Sequence, residues 1–210
     1  NPTHYGEFLI KTPWVISDAT ASWNWDGMEG KPAIVEVYAQ GDEVELFLNE
    51  TSLGKKPAGK EAGFRTLFET TYEPGTLVAV SYENGQEIGR SELATAGAER
   101  VLAVEQEAYA GLKHSEQELV YVQVEMRDQN GVLPADDNQK ITLSVDGEVE
   151  VLGFGSGNPK PNYNFNEGVT ELFGGRAQII IKKPEEDVTL TVTTGDGVCG
   201  SIRVSGGANF

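Results

Sequence analysis

The chain has 210 residues, enough for one large or two small domains that bury a stable core without disulfides or metals. Sixteen basic residues against 33 acidic ones give a formal net charge of −17, which argues against binding to nucleic acid or to anionic membrane surfaces. The single cysteine excludes an intramolecular disulfide and a thiolate metal cluster within the chain.

Apolar and polar residues alternate along most of the chain, which predicts strands that bury one face. Pro-Gly, Asn-Gly and Asp-Gly pairs supply turns between these segments, and no segment keeps a helical period over three turns. In chain order, we predict strands at residues 34–39, 44–49, 77–82, 120–126, 141–145, 177–182, 188–193 and 201–205. These short strands, in a chain with 25 glycines, indicate an all-β fold.

The stretch LATAGAER, residues 93–100, is composed of small residues between two strand-rich halves and marks the expected domain boundary. Each half is close to the roughly 100 residues of an immunoglobulin-like sandwich. We therefore predict two tandem immunoglobulin-like β-sandwich domains, residues 1–97 and 98–210. No apolar run approaches the roughly 20 residues of a membrane span and no signal peptide is visible, but the compartment stays open.

The motifs of catalytic and metal sites are missing from the sequence. The two histidines, His4 and His114, belong to no recognisable motif and are expected to be ordinary surface residues. The stretch DQNGVLPADDNQ, residues 128–139, lacks the ligand spacing of an EF-hand, and a hairpin tip explains it better. Acidic residues on the strands alternate with apolar ones and are expected to face solvent, not a cleft. We predict no catalytic residue, no cofactor and no metal in this chain.

Four aromatic residues are candidates for contact with a sugar or with another domain. Trp23 and Trp25 would share a face of an extended segment, a geometry that suits either a stacking platform or a sandwich core. Tyr163 and Phe165 lie in GNPKPNYNFNEG, whose prolines and asparagines predict a long exposed loop. Amides beside aromatics are typical of sites that hold sugar hydroxyls, and a loop packed by its own aromatics is the alternative.

The first half of the chain closely resembles the region behind the catalytic barrel of family 2 glycoside hydrolases of the β-galactosidase type. The motifs WNW…G, VYA…DEVELFLN…SLG and YEPGTLVAV occur there in the same order. The second half, from LVYVQVEMRDQNGVLPADDNQKITLSVDG to VLGFGSGNPKPNYNFNEGVTELFGGRAQIIIK, resembles the sandwich domain that ends those chains. The resemblance covers nearly the whole sequence, although the family commonly has Asn-Gly where this chain has Asn49-Glu50.

The resemblance implies a parent enzyme that hydrolyses terminal β-galactosides, or a related sugar, with retention, using two glutamates on an upstream barrel. No part of this chain aligns with that barrel, so no catalytic residue carries over, and the tail domains are expected to brace the barrel and to take part in oligomer contacts or the active-site rim. It also favours a core or barrel-contact role for the WNW motif. Because the chain starts at Asn1 and not at methionine, we expect it to be a piece of a longer protein.

Three functions follow as hypotheses. The first is a non-catalytic accessory region of a family 2 glycoside hydrolase, with the upstream barrel as its partner and a homo-oligomer in the parent. The second is a carbohydrate-binding module that holds an oligosaccharide or polysaccharide through its exposed aromatics. The third is a stalk or adhesin segment of a surface protein.

Overall fold

The computed structural model describes residue 17, residues 19–107 and residues 119–207. The chain divides into two compact units, Asn1–Thr95 and Ala96–Phe210, so the division falls two residues before the predicted boundary. Fourteen strands and one short 3₁₀ turn are the elements of the described residues, and the all-β sandwich prediction is confirmed. His4 and His114 lie outside the described residues.

Unit 1 consists of a two-stranded and a four-stranded antiparallel sheet. The two-stranded sheet pairs β1 with β4, and the four-stranded sheet has the order β3-β2-β5-β6. The elements are β1 (Pro32–Tyr38), β2 (Glu43–Leu48), β3 (Thr51–Pro57), the 3₁₀ turn (Lys60–Ala62), β4 (Arg65–Thr71), β5 (Thr76–Glu83) and β6 (Gln86–Ala94). Strand alternation turns Val44, Leu46 and Leu48 of β2 into the core, where they meet Phe68 of β4.

Unit 2 consists of two four-stranded antiparallel sheets, with the orders β10-β12-β8-β7 and β11-β9-β13-β14. Its strands are β7 (Arg100–Gln106), β8 (Leu119–Asp128), β9 (Lys140–Asp146), β10 (Val151–Gly155), β11 (Val169–Glu171), β12 (Arg176–Lys182), β13 (Val188–Thr194) and β14 (Cys199–Val204). Alternate residues of both sheets are fully buried, such as Val122 and Ile179 on one and Leu190 and Val192 on the other. Cys199, the only cysteine, begins β14 and is exposed.

The stretch at residues 128–139, which lacks the ligand spacing of an EF-hand, has a structural role in unit 2. Asp128, at the end of β8, is buried, and its carboxylate accepts backbone N–H bonds from Gly97, Asn130 and Val132, each at 2.8 Å. These bonds, led by that from Gly97, hold the pKa of Asp128 below its usual range. Asp128 therefore joins the start of unit 2 to the turn after β8.

The turn between β4 and β5 is the meeting point of three distant parts of unit 1. Asn49 reaches it from the β2–β3 turn, donating from Nδ2 to the Pro74 carbonyl at 3.1 Å and accepting at Oδ1 from the Thr76 N–H at 2.9 Å. The Gly75 N–H donates to Thr95 Oγ1 at 3.0 Å. Gly75 has φ of 137°, and a side chain there would collide with the Asn49 amide, so glycine is required.

The β2–β3 turn adopts left-handed backbone angles at two residues that are not glycine. Asn49 has φ of 47° and Glu50 φ of 66°, the pattern of a type I′ hairpin turn. The β5–β6 turn has the same pattern at Asn84 and Gly85, with φ of 51° and 77°. The departure from Asn-Gly noted in the sequence thus leaves the turn type in place and puts the strain on Glu50.

The variant Glu50→Gly should stabilise unit 1 by about 0.5–1 kcal/mol. A left-handed φ costs a residue other than glycine about 1–2 kcal/mol, and glycine avoids this cost. Part of the gain is lost because glycine gives the unfolded chain more conformational entropy. Urea unfolding followed by tryptophan fluorescence measures the change, because all three tryptophans lie in unit 1.

Asn49→Gly is the matched control for this variant. It relieves the φ of the neighbouring residue but removes the two bonds from the Asn49 side chain, so it should destabilise unit 1. Equal effects of the two variants would show that backbone strain at Glu50 is not the deciding factor.

Candidate functional site

Trp23 is part of the core of unit 1. Its side chain is only 1% exposed, and its ring meets the Tyr72 ring edge-to-face, with centroids 5.1 Å apart. The indole N–H donates to the Glu73 carbonyl at 2.9 Å. In this position the Trp23 ring has no open face for a ligand.

Trp25 is half-buried and packs against the same core, beside the buried Asn24. Its backbone N–H donates to the Tyr72 hydroxyl at 3.1 Å. Its indole nitrogen is buried and makes no hydrogen bond within the described residues. The structure therefore does not bring the two tryptophans together as a flat exposed pair.

Tyr163 and Phe165 lie in the loop between β10 and β11, and they differ in exposure. Tyr163 is half-buried, with the Lys140 ammonium 5.5 Å from its ring centroid. Phe165 is 49% exposed. Side-chain oxygens of the asparagines shape this loop, since Asn158 accepts from the Lys160 N–H at 2.9 Å and Asn164 from the Asn166 N–H at 3.2 Å.

Phe165 borders a concavity of about 530 Å³ on the outer face of the β10-β12-β8-β7 sheet. Its floor is made of glycines of β10 and of side chains that point away from the core of unit 2, among them Gln178 of β12 and Gln123 of β8. We call this feature the unit 2 concavity. Tyr163 is not one of its lining residues.

A second surface feature is the outer face of the β1–β4 sheet in unit 1. The apolar residues Ile34, Tyr38 and Leu67 are between 42% and 64% exposed there. Leu67 lies opposite Glu36 in the strand register, so it is diagonal to both Ile34 and Tyr38 and within reach of them. We call these three residues the β1–β4 outer face.

Glu36 is the charged centre of this face, and its side chain is 8% exposed. Arg65 donates to both of its oxygens, at 2.6 and 3.0 Å, and the Tyr38 hydroxyl and the Ser17 hydroxyl donate at 2.7 and 2.9 Å. The Arg65 hydrogen bonds are the main cause that lowers the pKa of Glu36 from 4.5 to about 2. Ser17 thus ties the part of unit 1 that precedes β1 to this face.

The β1–β4 outer face was not singled out by sequence reasoning, although the signal was present. In PAIVEVY the apolar residues occupy both alternating sets, so Ile34 and Tyr38 fall on the solvent side with Glu36. Apolar residues on the expected solvent face of a strand indicate a covered surface. The partner residue Leu67 belongs to β4, a strand that alternation did not reveal.

Within the part of the chain that the structure describes, no three or more histidine, cysteine or acidic side chains are grouped so as to hold a metal ion. Among the same residues, no helix is long and apolar enough to span a membrane.

The bonds to Glu36 make the stability of unit 1 depend on pH. Because folding lowers the pKa of Glu36, this contribution is fully present above pH 4.5 and is lost as the pH falls towards 2. Glu36→Gln should cost about 1–2 kcal/mol at neutral pH and should flatten the acid-induced loss of stability. Urea unfolding at a series of pH values, followed by tryptophan fluorescence, measures both effects.

Glu87→Gln is the control, since Glu87 pairs with Arg90 at 3.1 Å on the exposed surface of the same unit. We expect it to change the pH dependence much less. An acid profile of Glu36→Gln identical to that of the unchanged protein would contradict this account.

Comparison with known proteins gives two matching family models, one in each unit. Residues 30–89 match a domain of unknown function, DUF4982. Residues 103–201 match glycoside hydrolase family 2 C-terminal domain 5.

Among curated proteins, the chain is 28% identical over 182 residues to the beta-galactosidase BoGH2A of Bacteroides ovatus, and the match covers 83% of this chain and 21% of that protein. It is 32% identical over 165 residues to a putative beta-glucuronidase of Formosa agariphila, covering 76% of this chain and 16% of that protein. The chain therefore spans only about a fifth of the length of these relatives.

Among solved structures, a family 2 glycosyl hydrolase from Bacteroides cellulosilyticus superposes with a TM-score of 0.80 at 25% identity. The match covers 91% of this chain and 25% of that one. A second structure from Bacteroides cellulosilyticus DSM 14838, of the same family, gives a TM-score of 0.79 at 27% identity, covering 88% of this chain and 26% of that one. A family 2 glycoside hydrolase C-terminal domain model thus matches most of unit 2, and the chain as a whole is similar to a part of enzymes of that family.

Proposed function

We propose that this chain is a non-catalytic accessory region that braces the catalytic barrel of a family 2 glycoside hydrolase acting on a β-galactoside or a related sugar. The relatives support this proposal because they are glycosidases that the chain matches over a minor part of their length. Catalysis is then the task of the remaining part of the parent protein, and the two units serve its stability.

The β1–β4 outer face is the observation that carries the proposal. Clustered, exposed apolar residues on a soluble domain mark a contact surface, since leaving them in water costs free energy that burial recovers. Ile34, Leu67 and Tyr38 surround a Glu36–Arg65 pair that already satisfies its own charges. A partner could cover this face without leaving a buried charge unpaired.

The position of Ser17 supports the preceding part of the same protein as the partner. Ser17 donates to Glu36 at 2.9 Å, so a residue that precedes β1 by 15 positions is held at this face. A domain that precedes the chain is thereby held near the face at high effective concentration, and a modest apolar contact then suffices for stable docking.

The variant Leu67→Glu in the parent enzyme should shorten the half-life of its hydrolytic activity at elevated temperature at least several-fold, with kcat and KM at moderate temperature unchanged. A carboxylate at this position opposes burial of the face without touching the chemistry. The measurement is hydrolysis of 4-nitrophenyl β-galactoside and of the corresponding glucuronide after timed heating.

Ile88→Glu is the matched control, because Ile88 is 51% exposed on β6 of the same unit and lies outside the face. Equal half-lives for the two variants would overturn the proposed contact.

Two further measurements on the chain by itself complete the test. Hydrolysis of either substrate by the purified chain would refute its non-catalytic role, and sedimentation as a dimer that Leu67→Glu dissociates would assign the face to an oligomer contact instead.

A further inference from the structure

The unit 2 concavity combines an open aromatic ring with a row of polar side chains on a rigid sheet. Its volume of about 530 Å³ falls in the range of roughly 300–1,000 Å³ typical of small-molecule sites. The proposed accessory role does not involve this surface. The arrangement of its residues points to a particular class of ligand.

Phe165 forms the aromatic wall of the concavity, and its position is fixed. The Phe165 carbonyl accepts from the Phe154 N–H at 2.8 Å, which joins the loop to β10. The ring lies directly over Gly155, where a Cβ atom would come within 2.2 Å of the ring atom Cδ1. One side of the ring therefore rests on glycine backbone, and the 49% of Phe165 that is exposed offers an apolar surface to a ligand.

A row of polar side chains crosses the sheet from this wall. The strand register places Gly155 beside Gln178, Gln178 beside Gln123 and Gln123 beside Glu105. With neighbouring strands about 4.8 Å apart, the Gln123 position is roughly 10 Å from Gly155, so the row is longer than one pyranose ring.

The two glutamines are oriented by neighbouring carboxylates. Gln178 Nε2 donates to Glu107 at 2.7 Å, and Gln123 Nε2 donates to Glu125 at 3.1 Å. Among the described residues neither amide makes a further hydrogen bond, so each offers a ligand its carbonyl oxygen and one N–H, an acceptor and a donor side by side. Such a pair matches adjacent hydroxyl groups of a sugar.

The charges around the row disfavour anionic ligands. Arg127 pairs with both Glu125 and Glu105, at 2.7 and 2.9 Å, and Arg176 pairs with Glu125 at 2.9 Å, so two carboxylates match the two guanidinium charges. Glu107 then leaves this surface with an excess negative charge, in a chain of net charge −17. Phosphates and uronates would be repelled, whereas neutral hydroxyl-rich molecules would not.

We propose that the unit 2 concavity binds a neutral oligosaccharide, with one sugar ring stacked on Phe165 and hydroxyl groups of the next bonded to Gln178 and Gln123. An extended peptide is the weaker candidate, because peptides that join sheets pair with a strand edge, and this concavity lies over the sheet face. The site is independent of the docking of unit 1, so either proposal can fail without the other.

Isothermal titration calorimetry of the purified chain tests the site. The ligands are neutral tetrasaccharides of galactose, glucose, xylose and mannose, with tetragalacturonate as the anionic comparison. We expect saturable binding of at least one neutral tetrasaccharide and at least ten-fold weaker binding of tetragalacturonate.

Phe165→Ala should weaken the binding at least ten-fold, and Gln178→Ala at least three-fold. Phe173→Ala is the matched control, because Phe173 is 47% exposed in the same unit and does not line the concavity. It should stay within two-fold of the unchanged chain. Thermal unfolding of each variant checks that unit 2 remains folded, and Gln178→Ala, on the sheet surface, keeps the test valid if Phe165→Ala unfolds.

Absence of binding by every neutral tetrasaccharide at millimolar concentration would overturn the proposal. Equal loss of affinity in Phe165→Ala and Phe173→Ala would also overturn it, because the effect would then be unrelated to this surface. Preferential binding of tetragalacturonate would contradict the assigned ligand class.

Discussion

The hydrogen bond from the Trp23 indole to the Glu73 carbonyl is the contact on which the organisation of unit 1 depends. Residues 22–25 belong to no strand, so this segment has no ladder to hold it. It is held instead by the indole bond, by the ring contact with Tyr72 and by the Thr95 hydroxyl, which donates to the Trp23 carbonyl at 2.6 Å. Thr95 also accepts a hydrogen bond from the Gly75 N–H, so one hydroxyl at the end of unit 1 joins residues 22–25 to the β4–β5 turn. A buried indole contributes a large apolar surface, and its hydrogen-bonded N–H also fixes the orientation of the side chain. An aliphatic residue would contribute only the apolar surface.

In both sandwiches the two faces of a strand have different roles. The inner residues make the cores, and the outer residues of selected strands make surfaces that differ in chemistry. In unit 1 the selected strands expose aliphatic and phenolic side chains around one neutralised ion pair. In unit 2 they expose amides and an aromatic ring held over a glycine. Because successive side chains of a strand point to opposite faces of the sheet, one strand can contribute to the core on its inner face and to a contact or binding surface on its outer face.

The sequence was sufficient for the fold class because eight strands bury one regular face. Strands such as β3 (Thr51–Pro57) and β6 (Gln86–Ala94) were not predicted, since nearly all of their residues are exposed and few of them are apolar residues that pack against the core. Prolines and asparagines correctly indicated an exposed loop around Phe165. The row of Gln178, Gln123 and Glu105 could not be found in the same way, because three residues far apart in sequence become neighbours only through the strand register. The β1–β4 outer face likewise needed the pairing of β1 with β4.

Cys199 provides a single site for chemical labelling, and this site lies in unit 2. It is the only thiol in the chain, it is exposed, and it begins β14, in the sheet of unit 2 that does not carry the concavity. A maleimide dye attached there reports on unit 2, while the natural tryptophans report on unit 1. Two wavelengths then follow the two units separately in one sample, so that melting, docking and ligand binding can each be assigned to the unit in which they occur.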